Sequence, residues 1–344
     1  MFTVTNPGLL TTIQDEGRWG YQAYGMPVAG AMDRYAYRVA NLLAGNKDGA
    51  AVIEMTLMGA AFRFDTDLLI AVCGADMQAA LDGVSVTNWS SFWVKRGSEL
   101  TFGYVRTGCR AYLAVHGGIN VPDVLGSRST YTRAKVGGLQ GRALLAGDTL
   151  AAGQDKTGAP RPRMLQPTCI PSQNPNIDLR VLLGPQDTMF APEAIATFFR
   201  SPYTVTDEAD RMGYRLEGEK IAHTGKADII SDALCLGAIQ IPAHGMPIIM
   251  MADRQTTGGY AKIGTVIGPD LRKLAQAKPG DAVRFRQVME EAAVEALRLE
   301  RQTYLEIAAS FREDVAAVPV PSAGRVFRVA VNGAAYRVEI EEVL

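Results

Sequence analysis

The residues best suited to hold a small anion stand together near position 258. Gly258 and Gly259 follow a polar run and precede Lys262. Glycine lets backbone N–H groups approach a ligand closely, so this pair predicts an anion-binding nest, to which Lys262 adds a full positive charge. The side chains predicted to share this site are Asp253, Gln255, Thr256, Thr257 and Tyr260. The alternative is a hydrogen-bonded β-turn with a solvated lysine.

A second group of polar residues lies among glycines near the start of the chain. Gln14, Asp15 and Arg18 offer an amide, a carboxylate and a guanidinium within nine residues, 12–20. Such a set can bind a polar ligand whose edges present both donors and acceptors. The alternative is a tight β-loop in which Asp15 and Arg18 pair with each other.

Two arginines, Arg211 and Arg215, lie four residues apart around a glycine. In a strand this spacing directs both side chains to one face, where two guanidiniums suit a carboxylate. The alternative is that they pair with nearby acids: Asp207, Asp210 or Glu217.

His244 is a candidate general base, or alternatively a structural loop residue. The three histidines and four cysteines are scattered without metal-ligand spacing, which predicts no metal site. The sequence also has no G-x-x-x-x-G-K-[ST] motif, so we expect no P-loop for ATP on this chain.

The composition limits which classes of molecule this chain is expected to bind. The chain has 344 residues and a formal net charge of −1, which predicts about two domains and argues against nucleic acid. No apolar run is long enough to cross a membrane, and the first residues lack a signal-peptide pattern. We therefore expect a cytoplasmic protein with no membrane partner.

Short apolar runs alternate with glycine-containing turns, which indicates a mainly β fold. A proline-rich stretch predicts a linker over 161–176, separating β domains at 1–160 and 177–287. An amphipathic pattern predicts a helix over 288–315. A hairpin is predicted at 325–344, because Asn332-Gly333 suits its tight turn.

Six motifs in order resemble one family. They are TIQDxGRxG at 12–20, GAMD at 30–33, GGIxVP at 117–122, LGSRST at 125–130, RMGYRLxG at 211–218 and DxQTTGGY at 253–260. Together they are similar to the family of 5-oxoprolinase C subunits. That family is also called allophanate hydrolase subunit 2 or biotin-dependent carboxyltransferase-like, and one relative antagonises a sporulation-kinase inhibitor. The likeness covers about residues 2 to 298, with departures at His116 and Ala261.

The resemblance implies two cyclophilin-like β-barrel domains with few helices. It implies that the chain works with the B and A subunits of 5-oxoprolinase to open 5-oxo-L-proline to L-glutamate, with ATP hydrolysed by the complex. Two alternatives remain open. One is a biotin-dependent carboxyltransferase component acting on a urea-like substrate, with biotin supplied by a partner. The other is a regulatory protein that binds the homologue of the B subunit.

Overall fold

The computed structural model describes residues 1–154, 160–316, 325–331 and 334–340, and the side chains of 1–154 and 160–311. Contacts divide the chain into two compact units, Met1–Thr303 and Tyr304–Leu344. Among the described residues, no helix is long and apolar enough to cross a membrane.

The first half of the larger unit is built from short strands around one apolar core. Apolar and polar residues alternate along several strands, so that Phe62 and Phe64 are buried while Arg63 between them is exposed. The Phe2 ring meets both phenylalanines, with centroids 6.0 and 5.6 Å away. The elements are β1 (Phe2–Asn6), β2 (Leu10–Gln14), α1 (Arg34–Leu43), β3 (Val52–Thr56), β4 (Ala61–Phe64), β5 (Leu68–Asp76), β6 (Ala80–Leu81), β7 (Val84–Ser85), β8 (Ser90–Val94), β9 (Glu99–Thr101), β10 (Thr107–Val115), β11 (Ile119–Asn120) and β12 (Thr149–Ala152).

These strands form two sheets. A seven-stranded sheet has the order β11-β12-β1-β4-β9-β6-β7, and a five-stranded sheet has the order β2-β3-β10-β5-β8. Helix α1 packs on β5 and β10. Its first turn is capped by Asp33, whose side chain accepts a hydrogen bond from the Ala36 N–H.

The second half contains a closed barrel. Its strand order is β13-β20-β17-β18-β15-β14-β21, and parallel pairing of β21 with β13 closes the ring. Phe198 and Phe285 stack in its core at 4.3 Å. The elements are β13 (Asn176–Leu183), α2 (Pro192–Arg200), β14 (Tyr203–Val205), β15 (Gly213–Gly218), β16 (Asp228–Ala233), β17 (Ala238–Gln240), β18 (Ile248–Met250), β19 (Thr257–Tyr260), β20 (Lys262–Val266), α3 (Leu271–Ala275), β21 (Ala282–Gln287) and α4 (Glu290–Ala316).

The mainly β fold is thus confirmed, as is the helix that follows the barrel. The proline-rich stretch is tied to the first half, since the Leu165 N–H donates to the Trp89 carbonyl at 2.9 Å. The domain boundaries at 160 and 177 stay a prediction. In the smaller unit, β22 (Arg325–Val331) and β23 (Ala334–Ile340) pair antiparallel, while the expected Asn332-Gly333 turn lies outside the described residues.

Asp270 joins α3 to the barrel wall. Its carboxylate accepts hydrogen bonds from the Arg180 Nε at 2.9 Å, Nη2 at 2.8 Å and backbone N–H at 2.8 Å. The Lys273 ammonium lies 3.0 Å from the same group. Burial by itself would raise the pKa of Asp270, but these donors hold it below its ordinary value.

We expect Asp270→Asn to lower the free energy of unfolding by about 1–3 kcal/mol at pH 7. The wild-type pKa is depressed, so this stabilisation exists above the ordinary carboxyl pKa and is lost as pH falls through the lowered one. Urea denaturation at pH 7 and in acid should show the difference between variant and wild type shrinking as the pH falls. Asp67→Asn, at an exposed pair with Lys95, is the control and should change stability much less. A gap that stays constant with pH would contradict the ionic origin.

Candidate functional site

Arg211 is the centre of a buried ionic network between the two halves of the larger unit. Its Nε and Nη2 donate to Asp253 Oδ2 and Oδ1 at 3.0 and 2.9 Å, a two-bond fork. Its Nη1 donates to Glu54, and its Nη2 also donates to the Gly30 carbonyl at 2.7 Å. Burial opposes the charge, but Asp253 and Glu54 together raise the pKa of the guanidinium. Arg211 therefore links two distant parts of the chain, rather than pairing with the nearby acids considered above.

Glu54 extends the network into the five-stranded sheet. It accepts hydrogen bonds from the Tyr112 hydroxyl and the Met32 N–H, each at 2.8 Å. The Arg110 Nε lies 4.0 Å from its carboxylate. Arg110 Nη1 in turn donates to the Tyr214 hydroxyl at 2.6 Å. The halves of the larger unit are thus joined by charged and hydrogen-bonded groups.

Sequence reasoning missed Glu54, Arg110 and Tyr112. The available signal was a carboxylate in the middle of the apolar strand β3, where every position but the last is buried. A buried acid needs a partner, so a carboxylate in such a strand indicates a cation somewhere in the fold. Nothing in the local pattern said which one.

Asp15 organises the loop that follows β11. Its Oδ1 accepts hydrogen bonds from the Gly17 N–H at 2.8 Å, the Ser127 hydroxyl at 2.7 Å and the Ser129 hydroxyl. Its Oδ2 accepts from the Arg128 N–H at 2.5 Å. Asp15 is therefore a positioning group for the conformation of residues 127–129.

The buried side chain of Arg18 donates hydrogen bonds to the same loop. It is completely buried, and its Nε and Nη2 donate to the carbonyls of Val124 at 2.8 Å and Ser129 at 3.0 Å. Burial lowers the pKa of Arg18, against the attraction of Asp15. Arg18 Nη1 and Gln14 Oε1 are buried without a hydrogen-bond partner among the described residues. Such atoms usually bind a water molecule or a ligand.

Backbone hydrogen bonds join the segments that carry the motifs at 12–20, 30–33 and 253–260. The Ala31 N–H donates to the Asp15 carbonyl at 2.9 Å, and the Ala29 N–H donates to the Ala252 carbonyl at 3.1 Å. Gly30 lies between them with a φ of +88°, and a Cβ there would lie 2.9 Å from the Gly17 nitrogen. Only glycine allows this close approach without strain.

The two glycines predicted to form an anion nest lie in a strand and not in the expected turn. Gly258 and Gly259 belong to β19, which pairs antiparallel with β16 in a two-stranded ribbon with Asp232 opposite Gly258. A nest needs successive N–H groups turned to one concave side, which extended strand residues do not provide. Gln255, Thr257 and Tyr260 are exposed, and Thr256 and both glycines are half-buried.

Lys262 follows this ribbon and is buried, not solvated. Its Nζ donates to Asp232 Oδ2 at 2.7 Å and to the Ala233 carbonyl at 3.3 Å. The hydrogen bond from Lys262 lowers the pKa of Asp232. These contacts belong to the ribbon and not to the Arg211 network. A role for Lys262 in binding a ligand stays a prediction.

The remaining candidates lie at the surface. His244 is exposed, and its Nδ1 accepts a hydrogen bond from the Met246 N–H at 3.2 Å. Arg215 is partly exposed and its Nε lies 3.2 Å from Glu208. Arg211 is buried, so the two arginines do not form the carboxylate clamp expected from their spacing. Within the described residues, no group of three or more His, Cys, Asp or Glu side chains is arranged to hold a metal ion.

Gln276 connects the Arg211 network to a cavity between the two halves of the larger unit. Its Oε1 accepts from the N–H groups of Cys109 at 3.0 Å and Arg110 at 2.9 Å. Its Nε2 donates to Asp33 Oδ2 at 2.7 Å. Burial raises the pKa of Asp33, against the hydrogen bonds from Ala36 and Gln276. Asp33 and Gln276 both line the cavity.

Known proteins share the sequence pattern and the fold of this chain. A family model described as carboxyltransferase domain, subdomain A and B, matches residues 24–287. The chain belongs to this carboxyltransferase family. The family assignment confirms the resemblance drawn from the six motifs, all but the first of which lie within the matched residues.

Two relatives carry the same name, that of the C subunit of 5-oxoprolinase. The chain is 38% identical to the one from Escherichia coli K12, over 89% of this chain and 97% of that one. It is 36% identical to the one from Haemophilus influenzae, over 86% and 93%. Among solved structures, the urea amidolyase of K. lactis matches at 32% identity with a TM-score of 0.85. That match covers 89% of this chain but only 20% of the amidolyase.

Proposed function

We propose that this chain is the C subunit of an ATP-dependent 5-oxoprolinase, which opens 5-oxo-L-proline to L-glutamate together with the A and B subunits. The observation that carries the proposal is the match to nearly the full length of two relatives named as C subunits of 5-oxoprolinase, 97% and 93% of which are covered. A match over the whole length of a relative supports a shared role better than a match to one segment of a larger enzyme.

The proposed reaction explains why anion-binding groups matter here more than a nucleophile. Opening an unstrained lactam with water is unfavourable, so phosphorylation of the amide oxygen by ATP would create a better leaving group. Catalysis of phosphoryl transfer relies on positioning and on cations that stabilise developing charge. The buried cations Arg18, Arg211 and Lys262 are the groups on this chain that we assign to positioning or charge stabilisation.

A second candidate is a biotin-dependent carboxyltransferase component acting on a urea-like acceptor. It is favoured by the family description and by the match to urea amidolyase, and biotin would come from a partner. The same cations would then hold the carboxyl group being transferred. The amidolyase match covers a fifth of that protein, so this candidate requires domains beyond the matched region.

Reconstitution tests the proposal. The purified chain should release no ADP with 5-oxo-L-proline, because its sequence has no P-loop and we assign ATP hydrolysis to the complex. Adding the A and B subunits should produce ADP and L-glutamate in equal amounts, and a mixture lacking this chain is the control. Turnover by the chain alone would contradict its role as a subunit. A complete complex that is inert with 5-oxo-L-proline would contradict the proposed reaction.

A further inference from the structure

A cavity of about 450 Å³ lies next to Gln276, between the two halves of the larger unit. Its walls come from the start of β10, from residues 171–175 and the start of β13, and from α3 and the residues that follow it. A second cavity of about 380 Å³ adjoins it and shares Pro171, Arg272 and Lys273. Volumes of this size are typical of sites for small organic ligands.

Four cations line the first cavity: Arg106, Arg272, Lys273 and Lys278. Two of them have local partners. The Lys273 ammonium is held by Asp270 at 3.0 Å, and the Lys278 ammonium lies 3.8 Å from Asp281. Arg106 is exposed at the rim. Arg272 is half-buried and forms no ion pair with the described residues.

Arg272 lies over an aromatic ring and is attracted electrostatically by Asp33 and Glu300. Its guanidinium carbon lies 4.8 Å from the centroid of the Tyr35 ring. Glu300 attracts it electrostatically across the second cavity. The guanidinium makes no hydrogen bond or ion pair with the residues that the structure describes. A guanidinium stacked on a ring keeps its N–H donors in one plane, and that plane matches the two oxygens of a carboxylate.

Three acids share the wall of the first cavity with these cations: Asp178, Asp281 and Asp33. The carboxylate of Asp33 already accepts hydrogen bonds on both oxygens. Its Oδ1 accepts from the Ala36 N–H at 3.0 Å and its Oδ2 accepts from Gln276 at 2.7 Å. Asp33 therefore serves the helix cap and the network, which leaves the fork of Arg272 open to a ligand. In the same cavity, the side-chain amide of Gln173 forms a polar part of the wall and the Trp89 ring forms an apolar part.

We propose that this cavity binds the carboxylate of a small organic acid, with Arg272 as its bidentate partner. The inference rests on the proposed function only in the choice of 5-oxo-L-proline as the ligand. That molecule has one carboxylate for Arg272 and a lactam whose N–H and carbonyl suit the side-chain amide on the wall.

Calorimetric titration of the full chain with 5-oxo-L-proline tests the site. We expect the wild type to bind and Arg272→Met to bind at least about 10-fold more weakly, because a charge-assisted fork is lost. Arg272→Lys should weaken binding too, since lysine keeps the charge but not the planar fork. Arg284→Met, on the exposed face of β21, is the matched control and should bind as the wild type does.

Several outcomes would overturn the site. They are absence of binding to the wild type, equal affinity of the folded Arg272→Met variant, and binding of inorganic phosphate as tightly as 5-oxo-L-proline. Thermal melts of each variant without ligand establish that it is folded. The reconstituted complex separates this inference from the proposed function. Normal turnover with an unchanged KM for Arg272→Met would reject the cavity while leaving the 5-oxoprolinase activity intact.

Discussion

Arg211→Met is expected to lower the free energy of unfolding by about 3–5 kcal/mol, the usual cost of removing one partner of a buried ion pair. The variant leaves Asp253 and Glu54 buried without the cation that both contact. At roughly 2–4 °C per kcal/mol, the melting temperature should fall by roughly 6–20 °C. Urea denaturation and thermal melts monitored by circular dichroism measure both quantities.

Arg215→Met is the matched control, because it removes the same side chain from a nearby position of the same segment. Arg215 is partly exposed and its partner Glu208 is exposed, so the expected loss is below about 1 kcal/mol. Adding Glu54→Gln and Asp253→Asn to Arg211→Met should recover part of the lost stability, since neutral side chains no longer require a cation. Equal losses for Arg211→Met and Arg215→Met would mean that the buried network does not join the two halves.

The second large effect concerns the catalytic rate of the reconstituted complex. Lys262→Met is expected to reduce kcat by about 10- to 1000-fold, on the order of 1.4–4 kcal/mol, if its charge stabilises the transition state. Asp232 and the Ala233 carbonyl use two donors of the ammonium, and no third partner is seen among the described residues, so one N–H is available to a ligand. Methionine retains the buried stem, so the stability of the chain should barely change.

Asp232→Asn separates catalysis from structure. Asparagine can still accept a hydrogen bond from Lys262, which keeps the ammonium in place beside the Ala233 carbonyl, so kcat should fall much less than for Lys262→Met. Assembly of the complex must be checked for each variant by size-exclusion chromatography. Normal kcat for Lys262→Met in an intact complex would move the site assignment to Gln14, Asp15 and Arg18. Equal losses of kcat for both variants would indicate instead that the ion pair merely anchors the β16–β19 ribbon.

Local pattern was sufficient for the last elements of the chain. The helix predicted at 288–315 is observed as Glu290–Ala316, and the tail pairs as β22 and β23. These predictions succeed because helix and strand periodicity depend on residues a few positions apart. The six motifs likewise identified the family, because each is short and contiguous.

The partners of the charged residues were decided only by the tertiary structure. Glu54 and Arg211 are 157 positions apart, and Arg211 and Asp253 are 42 apart. No spacing rule relates such positions, because burial and chain topology bring them together. Lys262 shows the same limit at shorter range. Its pairing with Asp232, 30 positions away, depends on β19 forming a strand where the glycines alone indicated a loop. The sequence by itself determined which residues carry charge, whereas the fold determined which of those charges were removed from water and had to find one another.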